Sequence, residues 1–359
     1  MTEPTARAGA AGAAPGVVRE YGTRYLRITV RHHGDAGFTW LRAPGPAHPR
    51  PQSLPPPTVG AALRRVDAAV GPTGAQLALG ERESAAPGVV YRVPGAVSVA
   101  RLLTSGNAAA FQLSVNALAG VGRTLRRLHQ EPWEPPQRRP HPGVRRLRAW
   151  ISGEENAPGA TRVHQVARAR LGPSLWTRLT EWTEAAHQLP SRPALLHGAP
   201  SIGWLVPDLV TDGGRPALLT GEEVTGGDPA LDLGWLLGEL YELRCAAARG
   251  LGAAGHGPPV DHHAAAHALL GAYTGTRTDR SGDAGTAVPP GTARAATLRL
   301  AVHIRDFATF VGWHDDLRPY CDLLAETLAA DGTPTLRWPT PAQCTGENPP
   351  NPGPHRPTP

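Results

Sequence analysis

Two segments of the chain carry most of its chemistry-bearing residues. The first reads LLHGAPSIGWLVPD from Leu195, and the second reads LLTGEEVTGGDPALDLGWLLGEL from Leu218. Together they hold carboxylates, a histidine and hydroxyls in Gly-containing loops. Mg²⁺ takes oxygen ligands in near-octahedral geometry, and a carboxylate can accept the proton of an attacking hydroxyl. Several positions cannot do this work. Ala199 has no acid–base function, and Trp204 offers only an N–H donor, which cannot ligate a metal. Thr220 keeps an oxygen, but a neutral one. The nearby acids are Asp208, Asp212, Glu222 and Glu223, which could serve a metal only in a rearranged site. The basic side is also unusual: the 36 basic residues are all arginine, and the chain has no lysine.

The frame of these segments resembles the aminoglycoside phosphotransferase branch of the kinase-like superfamily, as a degenerate, pseudokinase-like member. The matching residues are His197-Gly198 and Gly227-Asp228-Pro229-Ala230-Leu231-Asp232-Leu233. The resemblance places Ala199 where the family has its catalytic Asp. It places Trp204 at the metal-binding Asn and Thr220 at the second metal-binding Asp. It puts Arg42, on a strand over residues 38–44, where a lysine usually holds nucleotide phosphates. Arginine keeps the charge but not the geometry of an ammonium. The acidic partner of that lysine would lie on the following helix, where Asp67 is the only acid. Val93 and Gly95 fall on the hinge whose backbone holds adenine, so the implied cleft comprises Arg42, Val93, Gly95, His197, Trp204, Thr220, Glu222 and Glu223. Asp228 reads as a helix N-cap with Pro229 at the first helical position. By resemblance, Asp232 bonds back to the loop at His197.

The implied fold class is α+β: a bilobal protein-kinase-like fold with a small β-rich N-lobe over 16–95 and a larger α-rich C-lobe over 96–338. The residues agree with this. Residues 25–31 alternate apolar and polar, Gly34 to Gly37 supply a turn, and 38–41 return, which is a hairpin pattern. Seven prolines between 43 and 57 mark a loop. Helical spacing is read over 59–69, 117–129, 175–187, 229–249, 261–273, 294–313 and 315–330. Residues 1–15 and the Pro-rich 339–359 read as disordered. Residues 16–25 show no strict glycine-rich phosphate loop. The resemblance is strongest over 195–240, moderate over 89–129 and weak before that.

The densest basic run, RRPHPGVRRLR, contains Arg138, Arg139, Arg145, Arg146 and Arg148, and is expected to meet an acidic peptide rather than nucleic acid, since it lacks interleaved aromatics. His263 and His267 sit one helical turn apart but lack a third metal ligand. His303-Ile-Arg-Asp306 falls inside a helical run and is not a catalytic loop. Cys245, Cys321 and Cys344 show no metal or redox spacing, which suits a cytoplasmic chain, and no segment reaches transmembrane length. The enrichment in Ala, Gly, Pro and Arg fits a GC-rich, actinobacterial genome. The resemblance then implies a pseudokinase that binds a peptide or small ligand, or partners a catalytic protein, in the making of modified ribosomal peptides. No cofactor is expected on that reading. The alternative is an active enzyme using ATP and Mg²⁺ to phosphorylate a peptide Ser/Thr or a small-molecule hydroxyl.

Overall fold

The computed structural model describes residues 16–48, 52–83, 87–133, 139–155, 157–209, 214–251, 260–275 and 287–338. Residues 1–15 and 339–359, with Cys344, Asp212 and Arg138, lie outside them. The chain is α+β, with an antiparallel sheet lobe followed by a helical lobe. The first sheet has the order β1 (Gly16–Gly22), β2 (Leu26–His32), β3 (Phe38–Pro44), β6 (Val89–Val93) and β5 (Glu81–Arg82). The β2–β3 hairpin pairs Ile28 with Arg42 and Val30 with Trp40. Its turn is one short 3₁₀ segment closed by Gly37, whose φ of 79° favours glycine. Ile28 and Val30 are buried and alternate with less buried neighbours along β2, as the pattern of a half-buried strand requires.

Helix α1 (Pro57–Val70) follows the Pro-rich loop. The next strand, β4 (Gln76–Ala78), leaves the first sheet and pairs in parallel with β9 (Ala217–Leu219), which also pairs with β8 (Leu205–Val206). The chain's N-terminal part therefore supplies a strand to the sheet beside the candidate site. A third sheet joins β7 (Ala194–Leu196) to β10 (Thr225–Gly227).

The helical lobe comprises α2 (Val99–Leu103), α3 (Ala108–Gln130), α4 (Pro142–Ile151), α5 (Pro158–His187), α6 (Pro229–Ala248), α7 (His262–Thr274), α8 (Thr292–Phe310) and α9 (Leu317–Ala329). Helix α6 is buried on nearly every face from Ala230 to Glu242, so it forms the axis of this lobe. Its N-cap is Asp228, whose side chain accepts from Ala230 N, with Pro229 in the first turn.

Residues 142–151 of the basic run form α4. One expectation needs correction. Helix α5 begins at Pro158, well before residue 175, and is broken at Gly172, whose φ of 66° and ψ of 176° precede Pro173.

Candidate functional site

The candidate site lies where β3 meets the loops after β7 and β9. Asp232, in the first turn of α6, is wholly buried and accepts from His197 N at 2.7 Å and Gly198 N at 2.9 Å. It also receives His129 Nε2 at 3.2 Å, while His129 Nδ1 meets the Tyr273 hydroxyl at 2.9 Å. Burial would raise the Asp232 carboxyl, but the His129 bond and charge, with His197 and the Gly198 amide, hold it below the ordinary carboxylate range. Gly198 must be glycine: its φ is 83°, and a Cβ there would lie 1.8 Å from the Glu223 carbonyl oxygen. The His197 loop is thus pinned from α6 and pressed against the loop of Glu223.

His197 is buried, and burial lowers its basicity despite the opposing Asp232 charge. Its Nε2 faces the Leu219 carbonyl at 3.0 Å, which places the proton there and leaves Nδ1 to accept from Ala199 N at 3.4 Å. Both ring nitrogens are used within the protein.

Of the positions that the resemblance assigns to metal or phosphate, all but Ala199 have side-chain partners within the protein. Ala199 is half-buried and presents a methyl group. Thr220 is wholly buried and its hydroxyl donates to Ala78 O at 2.8 Å, on the strand borrowed from the N-terminal part. Trp204 packs against both hydrophobic cores of the molecule and lies 4.7 Å beneath the Arg42 guanidinium. Arg42 donates to Glu223 at 2.6 Å and also bonds Tyr91. Burial opposes the Arg42 charge, yet Glu223 and Tyr91 more than offset it and the guanidinium stays ionised. Burial likewise opposes the Glu223 carboxylate, and the Arg42 charge and bond win, holding it below the ordinary range. Glu222 meets His48 Nε2 at 3.5 Å and accepts from Ser53 Oγ at 3.2 Å.

Asp67 does not pair with Arg42. It binds Arg215 at 2.8 Å and caps Leu77 N at 2.9 Å. The acid for Arg42 comes instead from the loop after β9. At the end of β6, Val93 is buried against the sheet core, and the Gly95 carbonyl accepts from Trp40 Nε1 at 3.0 Å. A Cβ on Gly95 would lie 2.5 Å from Pro207 O, so this segment is packed on the second lobe. Asp208 sits away from the cleft, lining a cavity of about 470 Å³ with Pro72, Thr73 and Arg123.

Two arginines of the basic run are paired with acids. Arg146 binds Asp306 at 3.2 Å and Arg148 binds Glu184 at 2.7 Å, while the Arg139 carbonyl accepts from Thr225 Oγ1. Arg145 is exposed and also has a partner. His267 Nε2 bonds the Trp338 carbonyl at 2.6 Å, and among the described residues no three metal-ligating side chains cluster.

Sequence reasoning missed several residues that shape the site. His141, at the N-cap of α4, is buried against Trp235, with ring centroids 4.4 Å apart. Tyr25 lies between His48 and Phe310, at 4.4 and 4.5 Å. Glu239 accepts from Ile202 N at 2.8 Å and Arg299 at 2.6 Å, fixing the loop from beneath. Only Glu239 had a local signal, being an acid in the apolar run of α6.

No protein-family model and no curated protein matches the chain. Among solved structures, a microcompartment-associated aminopropanol kinase is similar at 13% identity and a TM-score of 0.47, over 92% of this chain and 96% of that one. A Plasmodium vivax ethanolamine kinase is similar at 10% identity and 0.45, over 92% and 83%. A putative aminoglycoside phosphotransferase from Ralstonia eutropha follows at 16% identity and 0.43, over 89% and 94%.

Proposed function

We propose that this chain is a pseudokinase: a phosphotransferase-type scaffold that works by binding and not by metal-dependent phosphoryl transfer. The observation that carries the reading is the Glu223–Arg42–Trp204 stack. Phosphoryl transfer depends on positioned positive charge and on metal held by acidic ligands. Here the basic group on β3 and a nearby acid are committed to each other at 2.6 Å, and an indole lies beneath them. Thr220 and Glu222 are likewise bonded within the protein. The ligand on this reading is a peptide or small molecule, or the chain serves as partner subunit to a catalytic protein. The setting proposed is the making of modified ribosomal peptides in an actinobacterial host, supported by the resemblance and the Arg-, Ala-, Gly- and Pro-rich composition.

The test is thermal denaturation with ATP, Mg²⁺ and both together, alongside an ATP-turnover assay. The expected result is no metal-dependent rise in midpoint and no turnover. A rise that requires both, with turnover abolished by Glu222→Ala or Glu223→Ala, would establish the active-enzyme reading instead.

A further inference from the structure

A second concave site lies between α8 and α9 and shares no residue with the one described above. It is a cavity of about 260 Å³ lined by His303, Phe307, His314, Asp316, Leu317 and Tyr320. Its walls are mostly rings. His303 and Tyr320 have centroids 5.5 Å apart, and His303 and Phe307, one helical turn apart on α8, 6.0 Å. All three rings are partly exposed, so the cavity opens to solvent.

One acid stands in the lining and others lie behind it. Asp316 stands in the lining beside His314, with 3.3 Å between Oδ2 and Nδ1. Behind His303, its Nε2 meets Glu242 Oε1 at 3.2 Å. Glu239 and Glu242, one turn apart on α6, share the cation Arg299, whose 2.6 Å contact is with Glu239. Burial pushes the Glu242 carboxyl up to about 7, with Arg299 opposing, and pushes His303 down to about 4 with the help of Arg299. At neutral pH His303 is therefore an uncharged ring and Glu242 is partly ionised. The neighbouring Trp313 already holds the guanidinium groups of Arg162 at 4.2 Å and Arg318 at 5.5 Å, so this corner of the molecule binds cations on aromatic rings.

Ring quadrupoles attract cations whose hydration is weak, and methylated ammonium groups are the favoured guests of such aromatic enclosures. An anion would face Asp316 and Glu242, and a bare metal ion would lack a set of three ligands among the described residues. We propose that the cavity between α8 and α9 binds an organic ammonium ion with a methylated head, held by Phe307, Tyr320 and His303 and by the Asp316 carboxylate. The site acts as a recognition pocket and does not depend on whether the interlobe site transfers phosphate.

The experiment is a titration of the full chain with tetramethylammonium chloride, followed by saturation-transfer NMR on the methyl protons at constant ionic strength. tert-Butanol, of similar size and shape but neutral, is the comparison probe. The expected result is saturable binding of tetramethylammonium, at least about threefold tighter than tert-butanol. Phe307→Leu, Tyr320→Leu and Asp316→Asn should each weaken it by about threefold or more, while Tyr320→Phe, which keeps the ring, retains it. Absence of saturable binding, equal affinity for tert-butanol, or wild-type affinity in all three weakening variants would each overturn the proposal.

Discussion

The contact between Arg42 and Glu223 decides how the candidate site behaves, and it has a measurable energetic signature. Both side chains are shielded from water, at 4% and 15% exposure, so removing one charge strands the other in a poorly solvated place. Such a loss costs about 3–5 kcal/mol. Glu223→Gln should therefore lower the free energy of unfolding by that order, read from denaturant titration at pH 7, and an effect within error of zero would show that the pair is not buried in solution. The pH dependence carries a sign. The Glu223 carboxyl is held below its ordinary value, so the unfolded chain binds its proton first as pH falls. The stabilisation is present above the unfolded pKa and is lost as pH falls through the folded one, so the variant should lose less stability on acidification than the parent. That Ala199 and Thr220 depart from a short, dense pattern was legible in the sequence by resemblance alone. The Arg42–Glu223 pair was not, since 181 residues separate the partners and no periodicity encodes which loop acid will turn toward β3. Asp67, the acid expected by position along the chain, was drawn instead to Arg215.

At the scale of elements, α4 and α5 show where sequence patterns mislead. Helix α4 sits within an Arg- and Pro-rich run whose composition reads as loop. Its helical face is set by Gly143, Val144, Leu147 and Trp150, which are buried, and its start by His141 and Pro142. The His141 Nδ1 accepts from Val144 N at 3.4 Å, which puts the ring proton on Nε2. Burial pushes this histidine down to about 4, with Asp232 opposing and Arg146 adding to the shift. The unfolded chain therefore takes up the proton first, near its ordinary 6.5. Stability is complete above that pH and declines as pH falls toward 4, by on the order of 3 kcal/mol from this residue. His141→Asn keeps a capping acceptor and removes the titration. Its stability, measured by denaturation at steps from pH 4 to 7, should lose one proton's worth of slope in that window. An unchanged slope would place His141 in water. Helix α5 carries the Gly172-Pro173 breaker, which is why its second half alone reads as a helix. The backbone at Gly172 lies in a region open almost only to glycine, and nothing crowds a Cβ there. Gly172→Ala should therefore cost about 1–3 kcal/mol through backbone strain alone, and equal stability by thermal denaturation would mean that α5 can straighten.

For the molecule as a whole, the two-lobed plan and most helices of the second lobe were legible, because helical spacing and capping residues are local. The coupling of the lobes was not, because it rests on contacts between distant segments. The core of the first sheet, with Ile28, Val30, Trp40, Val89, Tyr91 and Val93, is one buried cluster with Val206, Ala217 and Leu219 of the second lobe. The strand β4 crosses to pair with β9, and the turn after β1 is tied to the end of α8 by Arg24 N donating to Phe310 O at 3.1 Å. Lobes joined only by a hinge and a polar cleft move and melt separately, whereas a shared apolar core makes them one cooperative unit. Trp40 is the largest side chain in that shared core, 1% exposed, and its indole N–H is bonded to the carbonyl of Gly95. Trp40→Ala removes the apolar contacts and leaves a cavity, a loss of about 3–5 kcal/mol. If the core is continuous, calorimetry of the parent shows one transition, and the variant moves that whole transition to lower temperature. Trp40→Phe, which keeps a ring but drops the bond to Gly95, should fall between the two. Two resolved transitions in the parent, or an early one in Trp40→Ala that leaves the remainder at the parent midpoint, would show that the lobes are independent. The closed arrangement of Arg42, Glu223 and Trp204 would then be one position of a cleft that opens, leaving room for nucleotide; a single shifted transition means that the two lobes unfold as one unit.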